Sequence, residues 1–198
     1  MVAILLSFIW GWQGSFGGAT GLILVLYFGV GILSHARRGE SAWQLGLRVD
    51  NLTRALRVAA AFVAPALLVL LAIGFALDSL HFSWSQTTKS LPWLVAWGTA
   101  QQYGLLCFFY RRFVEIFGGP WAATASASAT FATFHAPNGF LFAVTLAAGV
   151  AACTLYRRAP NVFAIGIAHA VISFALMHSL PYDVTHGLHV GPGYLALR

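Results

Sequence analysis

Long apolar stretches separated by short polar segments dominate the chain and predict membrane-spanning helices. A helix needs about 20 predominantly apolar residues to cross the hydrocarbon core of a bilayer, and six stretches approach or reach that length. They cover about residues 19–34, 58–77, 91–111, 120–135, 139–158 and 161–180. Prolines or arginines stand at several of their borders, as is common where helices begin and end. The pattern predicts an all-α, polytopic membrane helix bundle of about six transmembrane helices.

The segments outside these stretches have different characters. Residues 1–10 are apolar but too few to cross a bilayer, and they lack the basic start of a cleavable signal peptide. The loop 35–57 mixes arginines with apolar residues and is typical of an interfacial segment. We therefore divide one overall domain into N-terminal membrane helices with a basic loop (1–90), core helices (91–180) and a polar tail (181–198).

Composition supports a membrane protein and argues against a nucleic-acid-binding one. The chain is 59% hydrophobic and 8% charged, whereas soluble domains carry about 25% charged residues. Its net charge of +6 arises largely from arginines that group into three clusters. These are Arg37, Arg38, Arg48, Arg54 and Arg57; Arg111 and Arg112; and Arg157 and Arg158. Arginine clusters that flank apolar stretches predict the cytoplasmic ends of spans. If each of the six stretches crosses the membrane once, all three clusters lie on the cytoplasmic side.

Polar side chains inside the predicted spans mark the candidate site. His135, His169 and the pair Gln101–Gln102 lie in three different spans, where a polar group without partners loses several kcal/mol of hydration. Small residues fill residues 122–130 and surround His169, and such surfaces let membrane helices approach closely. We therefore expect the fourth and sixth spans to pack together and to bring the two histidines near each other.

No cofactor is expected from the sequence. Cys107 and Cys153 lie in apolar stretches without metal-ligand spacing, which is typical of small buried side chains. Zinc is disfavoured because no third Cys, Asp or Glu stands near the two histidines in the sequence.

From Gln101 to about Leu176 the chain resembles the CPBP family of intramembrane proteases, also called the CAAX protease and bacteriocin-processing family. The family pattern is Glu-Glu-x-x-x-Arg, then Phe-x-x-x-His, then His-x-x-x-Asn. The second motif is intact from Phe131 to His135, and Asn138 after it also fits. The first motif departs most: Gln101–Gln102 replaces the glutamates and Leu106 the arginine. In the third, His169 is kept and Ser173 replaces the asparagine.

The resemblance implies the roles of the candidate residues. In the family the first glutamate is taken to activate water, while the histidines and the asparagine hold the water or the oxyanion. By position this implies catalytic roles for His135 and His169 and places Gln101 and Ser173 in the same site. Gln102, Phe131 and Asn138 are the expected supporting residues.

The replaced glutamates change the chemistry. A neutral amide offers hydrogen-bond donors and an acceptor but no usable basicity. None of the five acids, Glu40, Asp50, Asp78, Glu115 and Asp183, is an obvious substitute in the sequence. One neutral histidine could instead act as the base, while the other donates a hydrogen bond to the oxyanion together with Gln101 and Ser173.

The sequence therefore predicts an intramembrane endopeptidase that acts on a membrane-associated peptide or protein, with reduced or lost activity as one reading of Gln101–Gln102. The alternative is a non-catalytic membrane protein that binds a hydrophobic or lipidated peptide. A small transporter subunit is disfavoured because no internal repeat occurs. The expected surroundings are the lipid bilayer of a bacterial or archaeal cell and no nucleic acid.

Overall fold

The computed structural model describes residues 1–12, 18–82 and 84–197, and over these residues the chain is helical without a β-strand. This confirms the predicted all-α bundle. The α-helices are α1 (Val2–Ser7), α2 (Gly18–Arg37), α3 (Leu52–Ala76), α4 (Trp84–Gln102), α5 (Arg111–Phe117), α6 (Pro120–Thr133), α7 (Gly139–Arg158), α8 (Val162–Ser179), α9 (Tyr182–Thr185) and α10 (Gly191–Leu195). Two π-helical segments, Phe8–Trp12 and Tyr103–Tyr110, continue α1 and α4.

Each of the six predicted spans corresponds to a helix of the structure. Among the described residues, α3, α7 and α8 are long and apolar enough to cross a membrane, and Gly21–Arg37 of α2 is a shorter apolar helix. The chain is an integral membrane protein. The predicted boundary at residue 90 falls inside α4, which begins at Trp84. The polar residues just before Leu91 belong to this helix, because the intrinsic helix propensity of most polar residues is only slightly less favourable than that of apolar ones.

The packing of the small residues differs from the prediction. The small-residue stretch of α6 packs against α7 and not mainly against α8: a Cβ on Gly149 of α7 would lie 2.9 Å from the Cα of Ser128. Helix α8 packs its own small residue Gly166 against Thr99 of α4, where a Cβ would overlap the threonine. The fourth and sixth spans do meet at the ring of Phe131, which contacts His135 and His169. Their small residues pack mainly on other helices, because small residues permit close packing without selecting which helix provides it.

The three arginine clusters meet at one end of the bundle, as their sequence pattern predicts. Asn161 begins α8 and donates from Nδ2 to the carbonyl of Arg48 at 2.7 Å. Arg111 donates to Glu40 in the loop after α2, and Arg157 lies over the ring of Trp121, 4.8 Å from its centroid. We refer to this as the basic end; its assignment to the cytoplasm stays a prediction.

A buried carboxylate organises the basic end. Glu40 accepts hydrogen bonds from Arg111 Nε at 2.6 Å, from His35 Nδ1 at 2.7 Å and from Arg112. Its side chain is 7% exposed. Burial alone would raise the pKa of the Glu40 carboxyl, but the hydrogen bonds from Arg112, His35 and Arg111 outweigh it and lower the pKa to about 2. The carboxylate therefore stays charged, and we call these four residues the Glu40 cluster.

Candidate active site

Gln101 and Gln102 lie at the C-terminal end of α4, and they face different neighbours. Successive residues of an α-helix are about 100° apart around its axis. Gln102 is buried and contacts α8, where its Nε2 lies 3.0 Å from Nδ1 of His169. Gln101 instead lines a cavity together with His135. The end of α4 thus places the Gln101 amide in the cavity beside His135 and the Gln102 amide against His169.

A glycine on α4 lets His169 approach this helix. A Cβ on Gly98 would lie 3.0 Å from the imidazole Cδ2 of His169 and 3.0 Å from the carbonyl oxygen of Gly166. Those contacts are tighter than side chains normally make, so a larger residue would push the two helices apart. Gly98 precedes Gln102 by one helical turn, and the close approach there keeps His169 within hydrogen-bonding distance of the amide.

His135 lies just after the last residue of α6, and the backbone fixes its protonation pattern. Its Nδ1 lies 2.7 Å from the carbonyl oxygen of Phe131. A carbonyl oxygen only accepts, so Nδ1 carries the proton and donates. In a neutral imidazole the other nitrogen, Nε2, then has a free lone pair. His135 is arranged to accept a proton at Nε2.

The contact with Gln102 favours the opposite pattern in His169. When the Gln102 Nε2–H donates to Nδ1 of His169, that nitrogen is the acceptor and the imidazole proton sits on Nε2. Turning the amide around would leave both of its N–H groups without a partner among the described residues, and buried orphan N–H groups are rarer than buried orphan carbonyls. His169 is therefore arranged to donate a hydrogen bond from Nε2.

The ring of Phe131 contacts both imidazoles. Its centroid lies 4.8 Å from that of His135 and 6.3 Å from that of His169, edge-on in both cases. Phe131 also supplies the carbonyl that fixes His135. The predicted supporting residue thus lies between the two histidines and orders one of them.

A cavity of about 160 Å³ opens beside Gln101 and His135. Apolar side chains make up most of its wall, and Tyr27 is a further polar contributor. The space is large enough for several water molecules. The described wall contains no carboxylate. His169, Gln102 and Ser173 lie outside the wall itself.

Ser173 and Asn138 occupy different surroundings. Ser173 is half-buried on α8, one turn after His169. Asn138 is fully buried at the start of α7, where its Oδ1 accepts from the Leu141 amide and its Nδ2 donates to the carbonyls of Thr185 and His189. These bonds attach the C-terminal segment to the start of α7 and use the Asn138 side chain away from the cavity.

The cysteines and the metal question add little to the site. Cys107 and Cys153 are both buried and not disulfide-bonded. Across the described parts of the chain, no group of three His, Cys, Asp or Glu side chains is placed to hold a metal ion.

Sequence reasoning missed Tyr27 and the π-helix beside it. Tyr27 lies in α2, outside the family motifs, and its hydroxyl donates to the carbonyl of Ala100 at 2.8 Å, immediately before Gln101. Gly104, three residues after Gln101, was a signal in the sequence, because a glycine there leaves room for a side chain from another helix.

Comparison with known proteins agrees with the motifs. Residues 86–175, a little under half of the chain, match the family model described as type II CAAX prenyl endopeptidase Rce1-like. No curated protein and no solved structure matches the chain. The matched segment includes Gln101, His135, His169 and Ser173. The match thus agrees with the resemblance to the CPBP family and extends over the segment that contains its motifs.

Proposed function

We propose that the chain is an intramembrane endopeptidase in a bacterial or archaeal cell membrane, which hydrolyses a peptide bond of a membrane-associated peptide or protein. The observation that carries the proposal is the different partner at Nδ1 of each histidine, from which we infer complementary protonation. His135 has a backbone acceptor at Nδ1, whereas His169 has an amide donor at the same atom. One imidazole is prepared to accept a proton and the other to donate a hydrogen bond.

His135 acts as the general base. A water molecule in the cavity gives a proton to His135 Nε2 as its oxygen attacks the substrate carbonyl carbon. The amide of Gln101, which lines the same cavity, can both donate to and accept from this water and so orients it. The protonated His135 then returns the proton to the leaving nitrogen when the C–N bond breaks. No carboxylate is needed in this cycle.

His169 stabilises the tetrahedral intermediate. Its Nε2–H donates to the oxyanion, and the Gln102 amide holds the imidazole in that form. The Ser173 hydroxyl, one turn further along α8, is the proposed second donor in place of the asparagine of the family motif. Loss of one such donor costs about 10²–10³ in kcat in other hydrolases.

The mostly apolar wall of the cavity also supports a second candidate, a non-catalytic protein that binds a hydrophobic or lipidated peptide. An apolar cavity without a carboxylate in its described wall can bind such a chain without cleaving it. This candidate predicts saturable binding that depends on His135, and no hydrolysis under any condition.

The protonation pattern is tested by ¹⁵N NMR of histidine-labelled protein in lipid nanodiscs. We expect His135 to be protonated at Nδ1 and His169 at Nε2. A Gln102→Leu variant should lose the fixed form of His169 and show a mixture, while His135 stays unchanged. Finding the same protonated nitrogen in both histidines of the unaltered protein would contradict the division of roles.

Hydrolysis is tested with the protein reconstituted in liposomes and a set of membrane-associated peptides, with products identified by mass spectrometry. We expect cleavage, and we expect His169→Ala to lower kcat by about 10²–10³. The matched control is His178→Ala, since His178 lies on the same helix but bonds to the carbonyl of His81 away from the cavity. Equal turnover by the His169→Ala variant and the unaltered protein would rule out the proposed site. Saturable binding without any cleavage would favour the second candidate.

A further inference from the structure

The helix that carries Gln101 and Gln102 changes form immediately after them. Residues Tyr103–Tyr110 are π-helical, whereas Trp84–Gln102 are α-helical. Extended π-helical stretches are rare in proteins and occur frequently at functional sites. Such a change needs a cause, and insertion of a side chain into the helical hydrogen bonds is one of the few known.

The hydroxyl of Tyr27 is inserted at the point of change. It donates to the carbonyl oxygen of Ala100 at 2.8 Å, and it lies against the backbone of Gly104. In a continuous α-helix the Gly104 N–H would donate to the Ala100 carbonyl directly. The phenol of Tyr27 thus lies beside the two backbone groups that would form this helical bond, and it donates to one of them.

Glycines make room for this arrangement. A Cβ on Gly104 would overlap the Tyr27 hydroxyl, so a side chain at position 104 would exclude it. The Tyr27 ring is 5% exposed and packs edge-on against Phe28 and Tyr103, with centroids 5.0 and 6.2 Å away. Tyr103 in turn fits over Gly31 of α2, where a Cβ would overlap its hydroxyl. The insertion of Tyr27 is therefore held on several sides.

We propose that Tyr27 is a positioning residue of the candidate active site, since its hydroxyl holds the helix open into the π form and so directs Gln101 to the cavity and Gln102 to His169. Its effect on catalysis rests on the proposed function; its effect on the helix does not. Closing the π-helix into an α-helix would rotate the two halves of the helix relative to each other by about 100°, the angle between successive residues of an α-helix.

The rotation would disturb contacts in both halves of the helix. The far half is fixed at the basic end, where Cys107 donates to the carbonyl of Leu45 and Arg111 donates to Glu40. The glutamine half packs on α8, where Gly98 lies against the His169 imidazole and Gln102 contacts the same ring. Without the Tyr27 hydroxyl, a rotation of this half would move Gln101 relative to the cavity and Gln102 relative to His169.

The test is Tyr27→Phe, which keeps the ring and removes only the hydroxyl. We expect the hydrogen-exchange rate of the Gly104 amide to change by at least about tenfold. The ¹⁵N NMR spectrum should show that His169 is no longer protonated at one fixed nitrogen, and kcat should fall by up to about 100-fold. Gly104→Ala should reproduce these changes by excluding the hydroxyl. The matched control is Tyr103→Phe, because the Tyr103 hydroxyl has no hydrogen-bond partner among the described residues. It should leave the Gly104 amide and His169 as they are.

An unchanged Gly104 amide in Tyr27→Phe, together with an unchanged His169 spectrum in both Tyr27→Phe and Gly104→Ala, would overturn the proposal. The same changes in Tyr103→Phe would also overturn it, because they would reflect ring packing and not the inserted hydroxyl. The spectroscopic results decide the role of Tyr27 even if the unaltered protein cleaves no peptide, so failure of the proposed function is distinguishable from failure of this proposal.

Discussion

His135→Ala is expected to lower the kcat for peptide hydrolysis by about 10²–10⁴, the range for loss of a general base. The imidazole is the one basic side chain in the described cavity wall, since the other side chains there with polar groups belong to Gln101, Tyr27 and Trp97. The bond to the Phe131 carbonyl leaves Nε2 free to take the proton. The measurement is steady-state cleavage of a membrane-associated peptide in liposomes.

A second variant separates loss of the base from collapse of the site. Gln101→Glu places a carboxylate in the same cavity, and a carboxylate can take a proton from water where an amide cannot. We expect it to restore part of the activity in the His135→Ala background. Full activity of His135→Ala alone would contradict the role of His135. Rescue would show that the geometry of the cavity is intact and that a base was the missing part.

The sequence predicted the helices and the two histidine motifs because both depend on local spacing. Phe131 and His135 are four residues apart, and this spacing predicts that they share one helix face. In the structure α6 ends at Thr133, and His135 in the following turn still makes the backbone bond and ring contact with Phe131. The role of each residue in catalysis stays a prediction. What the spacing could show was which side chains are neighbours along a helix.

The different surroundings of Gln101 and Gln102 could not be predicted from the sequence. Adjacent helical residues point about 100° apart, so their targets depend on the rotation of the helix. That rotation is set near Tyr27, a residue more than seventy positions earlier whose hydroxyl bonds to Ala100. No periodicity in the sequence identifies a contact between residues so distant. The partners of the small residues in α6 and α8 were missed for the same reason.

The ion-pair partners of Glu40 could not be predicted from the sequence either, because they are also distant along the chain. The sequence identified the arginines as markers of a membrane side and Glu40 as one of five scattered acids. In the structure Glu40 accepts from Arg111 and Arg112, about seventy positions away, and from His35. It does not line the cavity with His135 and so does not replace the missing glutamate there. Its place at the basic end suggests a role in stability.

Glu40→Gln is expected to lower the free energy of unfolding by about 3 kcal/mol, the lower end for breaking a buried ion pair, since Arg111 remains partly exposed. The variant keeps the size of the side chain and leaves Arg111 and Arg112 without their shared carboxylate. The measurement is denaturation of the detergent-solubilised protein. Asp50→Asn is the matched control: Asp50 pairs with Arg48 at the surface, where solvent screens such pairs and they contribute little to stability. Equal losses in the two variants would contradict a special role for Glu40.

The pH dependence gives an independent check on the Glu40 cluster. The pKa of the Glu40 carboxyl is lowered from its ordinary value of 4.5 to about 2. The stabilisation from a lowered pKa is fully present above the ordinary value and is lost as the pH falls towards the folded value. The difference in stability between the unaltered protein and Glu40→Gln should therefore be constant from pH 7 to about 5 and shrink as the pH approaches 2. A difference that grows on acidification would show that Glu40 is protonated more readily in the folded protein, and that the arginines do not control its charge.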